Sequence, residues 1–253
     1  MTAWSWAAAS RRGVSHERRG EPRQDTFRIV GPPDGSGVFA AVACDGAGSA
    51  PRGGVGATIA ARVLAGCAQT WLDEAGRLPH PDVLVCWMLL ARRQIVQTAA
   101  AHDLAPCEFA TTAVMTLSDA SVTLTAHVGD GAVVARDATT RDWLALSWPE
   151  HGEYANTTRF LTDADGPAIR IAVHDGRIDR IAAMTDGLER LALDFATTRA
   201  HAAFMEPMAA PLAARGVGGL DAELSCALRT YLGSERVNEH TDDDKTLLLA
   251  CFA

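Results

Sequence analysis

Five aspartates lie at the ends of apolar, strand-like runs in the sequence. Asp25 precedes such a run, Asp45, Asp130 and Asp186 each follow one, and Asp243 lies just before the last. Because the ends of neighbouring strands come together in space, these carboxylates are expected to converge on one point. Oxygen ligands without an accompanying Cys/His cluster suit Mg²⁺ or Mn²⁺. Two such ions a few ångströms apart lower the pKa of a bridging water to near neutrality and hold a phosphoryl group, so the pattern predicts metal-dependent phosphoryl chemistry.

Three of these aspartates occur in Asp-Gly pairs, in "CDGAG", "GDGAV" and "TDGLE". An Asp-Gly pair after a strand is by itself more often a hairpin turn than a site, because both residues tolerate the positive φ of tight turns. The hairpin interpretation fits "HDGRI" at Asp175, which strand-like runs flank closely. It does not fit "CDGAGSAPRGGVGA", in which a long glycine-rich loop leads into a helix and no return strand is near.

The last segment, "HTDDDKTLLLACFA", brings three consecutive aspartates to the edge of a run with buried character. Two unit charges about 4 Å apart repel by about 4 kcal/mol at an effective dielectric near 20. The cluster is therefore either a solvated turn or is stabilised by cations. The recurrence of aspartates at other strand ends favours cations over at least one of the three.

The elements that must position these residues follow from the apolar pattern. Eight runs rich in β-branched and apolar residues are predicted strands, at residues 26–30, 37–44, 109–117, 121–128, 132–136, 168–173, 177–185 and 245–252. Their hairpin spacing predicts largely antiparallel sheets. Helical periodicity predicts helices at about 54–75 and 81–102, with two more at about 188–212 and 220–232. This order predicts an α+β domain in which helices cover the faces of sheets.

The bulk properties limit the class of protein. The chain of 253 residues is 48% hydrophobic and carries a net charge of −8, and we expect one domain spanning residues 1–253. The acidic balance argues against a nucleic-acid surface, and charges interrupt each apolar stretch before the roughly 18 residues that a membrane span needs. The first arginines follow the apolar part, the reverse of a secretory signal, so we expect a cytoplasmic protein. Six scattered cysteines without CxxC spacing predict neither disulfides nor zinc.

Competing chemistries lack their motifs. The sequence contains no G-x-x-x-x-G-K-[ST], no G-x-S-x-G and no H-E-x-x-H, which argues against a nucleotide P-loop, a serine hydrolase and a zinc peptidase. "GAGSAP" lacks the third glycine of a dinucleotide fingerprint. The D-x-S-x-S cluster of a metal-dependent adhesion module is not found in "CDGAGSA".

The type 2C, metal-dependent serine/threonine protein phosphatases are the family that this sequence resembles. The resemblance rests on six segments in the family's order: "QDTFRI" (24–29), "VACDGAGS" (42–49), "FATTAVMTL" (109–117), "HVGDGAVVAR" (127–136), "AAMTDGLER" (182–190) and "DDKTLLLA" (243–250). Each segment is short, but together they run almost end to end. The sequence looks most like the bacterial branch with "G-x-S-H", "DGAGS" and a segment similar to "YANTTRFLTD" (154–163).

This resemblance implies a four-layer α-β-β-α sandwich, in which two antiparallel sheets are flanked by helix pairs. It also implies two Mn²⁺ or Mg²⁺ ions at one end, with a third and weaker ion beside them. Carried over by position, the catalytic Asp45 bridges both ions and the Gly46 carbonyl ligates one. The other residues are Asp186 and Asp243 on the second ion, Asp130 with Asp186 on the third, and Asp25 acting through ligand waters. Metal-activated water would then hydrolyse phosphoserine or phosphothreonine.

Two positions depart from the family's pattern. The phosphate-binding arginine is replaced by "GVSHERRGEPRQD", in which His16 lies nearest the expected place and Arg18 or Arg19 are alternatives. Ala47 stands where some members carry a histidine proposed as general acid, which leaves water or His16 to protonate the leaving oxygen. The segment at about 147–165 takes the position of the family's flap and is expected to contact the substrate.

Two functions are compatible with the resemblance. The first is a phosphatase whose substrate is a phosphorylated protein, itself the target of a partner serine/threonine kinase. The alternative is a pseudophosphatase, a catalytically weak module that binds phosphorylated partners and regulates them. The presence of Asp25, Asp45, Asp186 and Asp243 favours the phosphatase, and the irregular arginine region is the feature that favours the alternative.

Overall fold

The computed structural model describes residues 3–150 and 158–253. Its strands in chain order are β1 (Trp4–Arg11), β2 (Thr26–Val30), β3 (Phe39–Cys44), β4 (Ala113–Ser118), β5 (Val122–Val128), β6 (Ala132–Asp137), β7 (Trp143–Ser147), β8 (Arg170–Asp175), β9 (Ile178–Met184), β10 (Leu193–Asp194), β11 (Arg199–Ala200), β12 (Gly219–Leu220) and β13 (Lys245–Phe252). The α-helices are α1 (Val14–Arg19), α2 (Gly53–Ala75), α3 (Pro81–Ala101), α4 (Glu189–Ala192), α5 (Ala202–Arg215), α6 (Ala222–Leu232) and α7 (Glu235–Asn238). Among the described residues, no helix has the length and apolar character that a membrane crossing requires.

Within these residues, the strands form two stacked sheets and one short hairpin. The first sheet has the order β12-β1-β13-β9-β6-β7, and the second has the order β2-β3-β4-β5-β8. Neighbouring strands are antiparallel in both sheets except for the parallel pair of β1 and β12. The hairpin pairs β10 with β11.

Four layers follow from strands that are buried on both faces. In β3, Val42 packs into the core beneath α2 and α3, whereas Phe39 packs between the two sheets. In β13, Leu249 packs beneath α5 and α6, whereas Leu248 faces the other sheet. Because side chains alternate along a strand, such strands need apolar residues at nearly every position. The predicted four-layer α-β-β-α sandwich is therefore confirmed.

Several sequence predictions need correction, and β7 is one strand that was not predicted. The apolar segment at the N-terminus forms β1, which was not predicted although it pairs with β13 along its whole length. The predicted helix at 188–212 is wrong, because α4 and α5 are separated by the β10–β11 hairpin. The carboxylate of Asp194 accepts hydrogen bonds from the backbone N–H groups of Ala196 and Thr197, and this local turn competes with the helix.

A buried ionic network holds α5 on the first sheet. Arg136 of β6 and Arg180 of β9 are paired in register, and their side chains are only 3% and 8% exposed. Both guanidinium groups donate to Oε1 of Glu206 on α5. Arg136 Nε also donates to Asp179 at 2.9 Å, and Trp143 Nε1 donates to the second oxygen of Glu206 at 3.1 Å. Glu206 thus compensates the buried Arg180 and adds a second carboxylate to Arg136, which Asp179 also pairs; a buried cation is costly to leave unpaired.

We expect Glu206→Ala to lower the free energy of unfolding by about 3 kcal/mol, because it removes a partner from two buried guanidinium groups. Urea unfolding followed by circular dichroism measures this loss. Glu223→Ala is the matched control, since it removes a 79% exposed carboxylate that pairs with Arg215 at the surface. The control should change stability by less than about 1 kcal/mol, and equal losses in the two variants would contradict the role of Glu206.

Candidate active site

The aspartates predicted from the sequence meet where the two sheets end side by side. Asp45 follows β3 and Asp130 follows β5 in the second sheet, whereas Asp186 follows β9 in the first. Among the described residues, these three each offer a carboxylate oxygen, and the three oxygens lie within 4.8 Å of one another. They line a cavity of about 380 Å³ together with Asp242 and Asp243.

The electrostatics of this cluster are unfavourable without a cation. Burial raises the pKa of the Asp45 carboxyl well above its usual range, and the charges of Asp186 and Asp25 raise it further. Burial also raises the pKa of Asp186, to which the charges of Asp130 and Asp243 add. Within the described chain, Asp186 Oδ1 is buried and has no hydrogen-bond partner. Hard oxygen donors that repel one another in this way fit a divalent cation such as Mg²⁺ or Mn²⁺.

The loop after β3 is fixed at the wall of the cavity. Thr111 Oγ1 donates to the Asp45 carbonyl oxygen at 2.8 Å, and the Asp45 N–H donates to Thr112 Oγ1 at 3.1 Å. Gly46 forms an isolated bridge with Thr111, and a Cβ at Gly46 would lie 2.1 Å from the carbonyl carbon of Gly53. Glycine is therefore required where this loop crosses the start of α2.

Asp25 lies behind the cluster and is only 1% exposed. Its Oδ2 accepts hydrogen bonds from Thr185 Oγ1 at 2.8 Å and from Thr246 Oγ1 at 2.6 Å. Burial raises the pKa of Asp25 to about 7, with a further contribution from the charge of Asp244, although the threonine hydrogen bonds oppose the shift. Asp25 does not belong to the cavity lining among the described residues, so it supports the cluster from beneath.

The three consecutive aspartates, 242–244, differ in what they contact. Asp242 and Asp243 line the cavity, whereas Asp244 is 2% exposed and faces the N-terminal segment. Its carboxylate accepts hydrogen bonds from the backbone N–H of Gly13 at 2.6 Å and of Gln24 at 2.5 Å. Asp244 Oδ1 also lies 3.0 Å from His16 Nδ1. Sequence reasoning missed this role, whose one signal was the position of Asp244 at the inner end of the acidic run.

The basic residues near the cluster lie on α1. His16 is 4% exposed and lines the cavity, as does the exposed Arg19, whose Nε lies 2.8 Å from Glu21 Oε2. Arg18 is also exposed, but it does not belong to the cavity lining within the described residues. Ala47, at the position of the family's histidine, is 9% exposed and also lines the cavity.

The predicted flap at about 147–165 is described only at its two ends, since residues 151–157 lie outside the described part of the chain. At the first end, Arg170 of β8 donates hydrogen bonds to the carbonyl oxygens of Trp148 at 2.7 Å and of Gly129 at 3.1 Å. Arg170 therefore connects the first end of the segment to the turn that carries Asp130.

The second end of the segment contacts the cavity itself. Thr158 Oγ1 donates to Asp130 Oδ2 at 2.5 Å, and both Thr158 and Phe160 line the cavity. Arg92 of α3 donates to the carbonyl oxygen of Leu161 at 2.6 Å and so fixes the chain that follows. No sequence pattern predicted the contact of Thr158 with Asp130, because the two residues are far apart in the chain.

Comparisons with known proteins agree with this geometry. The family model for protein phosphatase 2C matches residues 12–229. Serine/threonine-protein phosphatase 3 of Escherichia coli (strain K12) is 38% identical over 256 residues, with 99% of each chain covered. Two solved structures share the fold: a bacterial serine phosphatase (TM-score 0.66, 15% identity, 97% of this chain and 96% of that chain) and PppA of Pseudomonas aeruginosa (TM-score 0.64, 14% identity, all of both chains).

The chain therefore belongs to the protein phosphatase 2C family. It is a serine/threonine protein phosphatase of a family that depends on metal ions, and its acidic cluster is a group that can bind such an ion.

Asp186→Asn should stabilise the metal-free protein at pH 8, because it removes one charge from a cluster that repels itself. For metal-free wild type, stability should fall as the pH rises from about 4 to 7, since the folded carboxyls hold protons that the unfolded chain has released. Added MnCl₂ should raise the melting temperature of wild type more than that of the variant.

Thermal unfolding in EDTA and in MnCl₂ tests both statements. Asp175→Asn is the matched control, because Asp175 is an exposed aspartate in an Asp-Gly turn outside the cluster. A metal-free Asp186→Asn protein less stable than wild type would show that repulsion does not dominate this site.

Proposed function

We propose that this phosphatase hydrolyses phosphoserine and phosphothreonine esters of proteins with two Mn²⁺ or Mg²⁺ ions, and that a third ion binds more weakly. The observation that carries the proposal is the convergence of Asp45, Asp130 and Asp186 within 4.8 Å among the described residues. The substrate is a protein phosphorylated by a partner serine/threonine kinase. When bound, the ions supply an activated water for attack on phosphorus and positive charge for the phosphoryl oxygens.

The proposed ligands follow the positions of the carboxylates. Asp45 would contribute to both principal ions, and the Gly46 carbonyl would contribute to one of them. Asp186 and Asp243 would hold the other ion, and Asp130 would hold the third together with Asp186. Asp25 takes part through the water molecules of the metal shell, which suits its place beneath Asp45.

His16 and Arg19 are proposed to bind the phosphoryl group, because both line the cavity. His16 Nδ1 faces Asp244 Oδ1 at 3.0 Å, so we propose that Nε2 is the atom that contacts the substrate. Arg19 offers a planar cation suited to phosphoryl oxygens. Arg18 was the other arginine favoured by the sequence, and its position outside the cavity lining makes Arg19 the better candidate.

Wild type should hydrolyse a phosphothreonine peptide in MnCl₂ or MgCl₂ and lose this activity in EDTA. Asp45→Asn and Asp186→Asn should each lower kcat by more than about 100-fold, because a direct ligand contributes at least as much as an outer-shell partner. Asp175→Asn should retain wild-type kcat. Activity that survives EDTA, or persists in Asp45→Asn, would contradict the metal site. Absence of turnover in folded, metal-loaded wild type would favour the phosphoprotein-binding alternative.

Thr158→Val should weaken the third, Asp130-dependent site about tenfold, because Thr158 Oγ1 orients the Asp130 carboxylate. Isothermal titration with MnCl₂ measures this loss independently of turnover. Thr158→Ser keeps the hydroxyl and should restore the wild-type affinity. Equal Mn²⁺ affinities in the valine variant and wild type would refute this role.

A further inference from the structure

The cavity of the aspartate cluster shares wall residues with a neighbouring pocket. Asp186, Asp242 and Asp243 line both, and the wall of the second pocket also includes Glu189, Arg190 and His240. Arg190 follows Asp186 by four positions, and His240 precedes Asp243 by three. The same two segments therefore carry two proposed metal ligands and the residues beyond them.

The far end of this surface is basic. Arg190 and His240 also line a third pocket, of about 320 Å³, together with His201, Phe204, Tyr231 and Arg236. Among the described residues that line this third pocket, none is an aspartate or a glutamate. We name the surface formed by these six residues the basic groove.

The charges of the basic groove are available to a ligand. Arg190, Arg236 and His240 are exposed, and the described structure shows no salt bridge to either arginine. By contrast, Arg215 at the end of α5 pairs with both Asp221 and Glu223. Exposed cations without partners are notable beside an acidic cluster in a chain of net charge −8.

We propose that the basic groove binds acidic residues that flank the phosphorylated residue of the substrate, so that acidic phosphorylation sites are preferred. This inference rests on the proposed function, because the groove is continuous with the cavity of the aspartates. Arg190 and Arg236 attract the acidic side chains, while Phe204 and Tyr231 offer apolar surface to the peptide. The ligand chemistry is the carboxylate of an acidic side chain, and a preference for a second phosphate would be a contrary outcome of the test.

Steady-state hydrolysis of matched peptides tests the preference. Four phosphothreonine peptides differ only in the flank: three glutamates before the phosphothreonine, three glutamates after it, three alanines, or one additional phosphoserine. We expect one glutamate peptide to exceed the alanine peptide about 5-fold in kcat/KM, mainly through KM, and the difference to shrink in high KCl. The phosphoserine peptide distinguishes a preference for phosphate from one for carboxylates.

The double variant Arg190→Gln/Arg236→Gln should bring the ratio of kcat/KM between acidic and alanine peptides close to 1. Arg229→Gln is the matched control, because Arg229 is an exposed arginine of α6 outside the groove. It should keep the wild-type ratio. Equal hydrolysis of all peptides by wild type, or an unchanged ratio in the double variant, would overturn the inference while leaving the phosphatase activity established.

A binding measurement separates this inference from the proposed function. Fluorescence anisotropy in EDTA, with labelled glutamate and alanine peptides that lack phosphate, reports on the groove without catalysis. Wild type should bind the glutamate peptide more tightly, and the double variant should lose the difference. Absence of all hydrolysis would count against the proposed function, whereas equal anisotropy for the two peptides would count against the groove.

Discussion

Mutual repulsion among carboxylates is the constraint on which this structure depends. Asp45 and Asp130 come from one sheet and Asp186 from the other, so the fold must hold like charges together at the junction of two layers. A protein that needed only stability would separate them. The surrounding structure opposes this repulsion, because apolar strands buried on both faces leave the sheet ends little freedom to move apart.

Hydrogen bonds around the cluster join residues that are remote in the sequence. Asp244 binds the backbone of Gly13 and Gln24, and so joins the last strand to a segment more than 200 positions earlier. Thr185, directly after β9, and Thr246 of β13 donate hydrogen bonds to the same oxygen of Asp25. The contacts of Gln24 and Asp25 join the start of the second sheet to the first sheet, so the cluster should assemble only with the whole domain.

Local sequence patterns predicted much of this fold, whereas contacts between residues distant in the chain were not predicted. The apolar, β-branched runs of the strands and the aspartates at strand ends were predicted from the sequence, because each pattern depends on residues a few positions apart. The hairpin at Asp194 interrupted an apparently helical pattern, since a short side chain can compete with helical hydrogen bonds. The partners of Asp244 and Thr158 were not readable, because neither Gly13 nor Asp130 is near them in the chain.

Asp45 and its neighbours are proposed to form a binuclear metal centre. The decisive measurement is a crystal structure of the Mn²⁺-loaded protein, with anomalous diffraction recorded at the manganese edge. We expect two strong anomalous peaks that both contact Asp45, with Asp186 and Asp243 on one of them. A well-ordered cluster without anomalous peaks, or manganese bound elsewhere, would contradict the account.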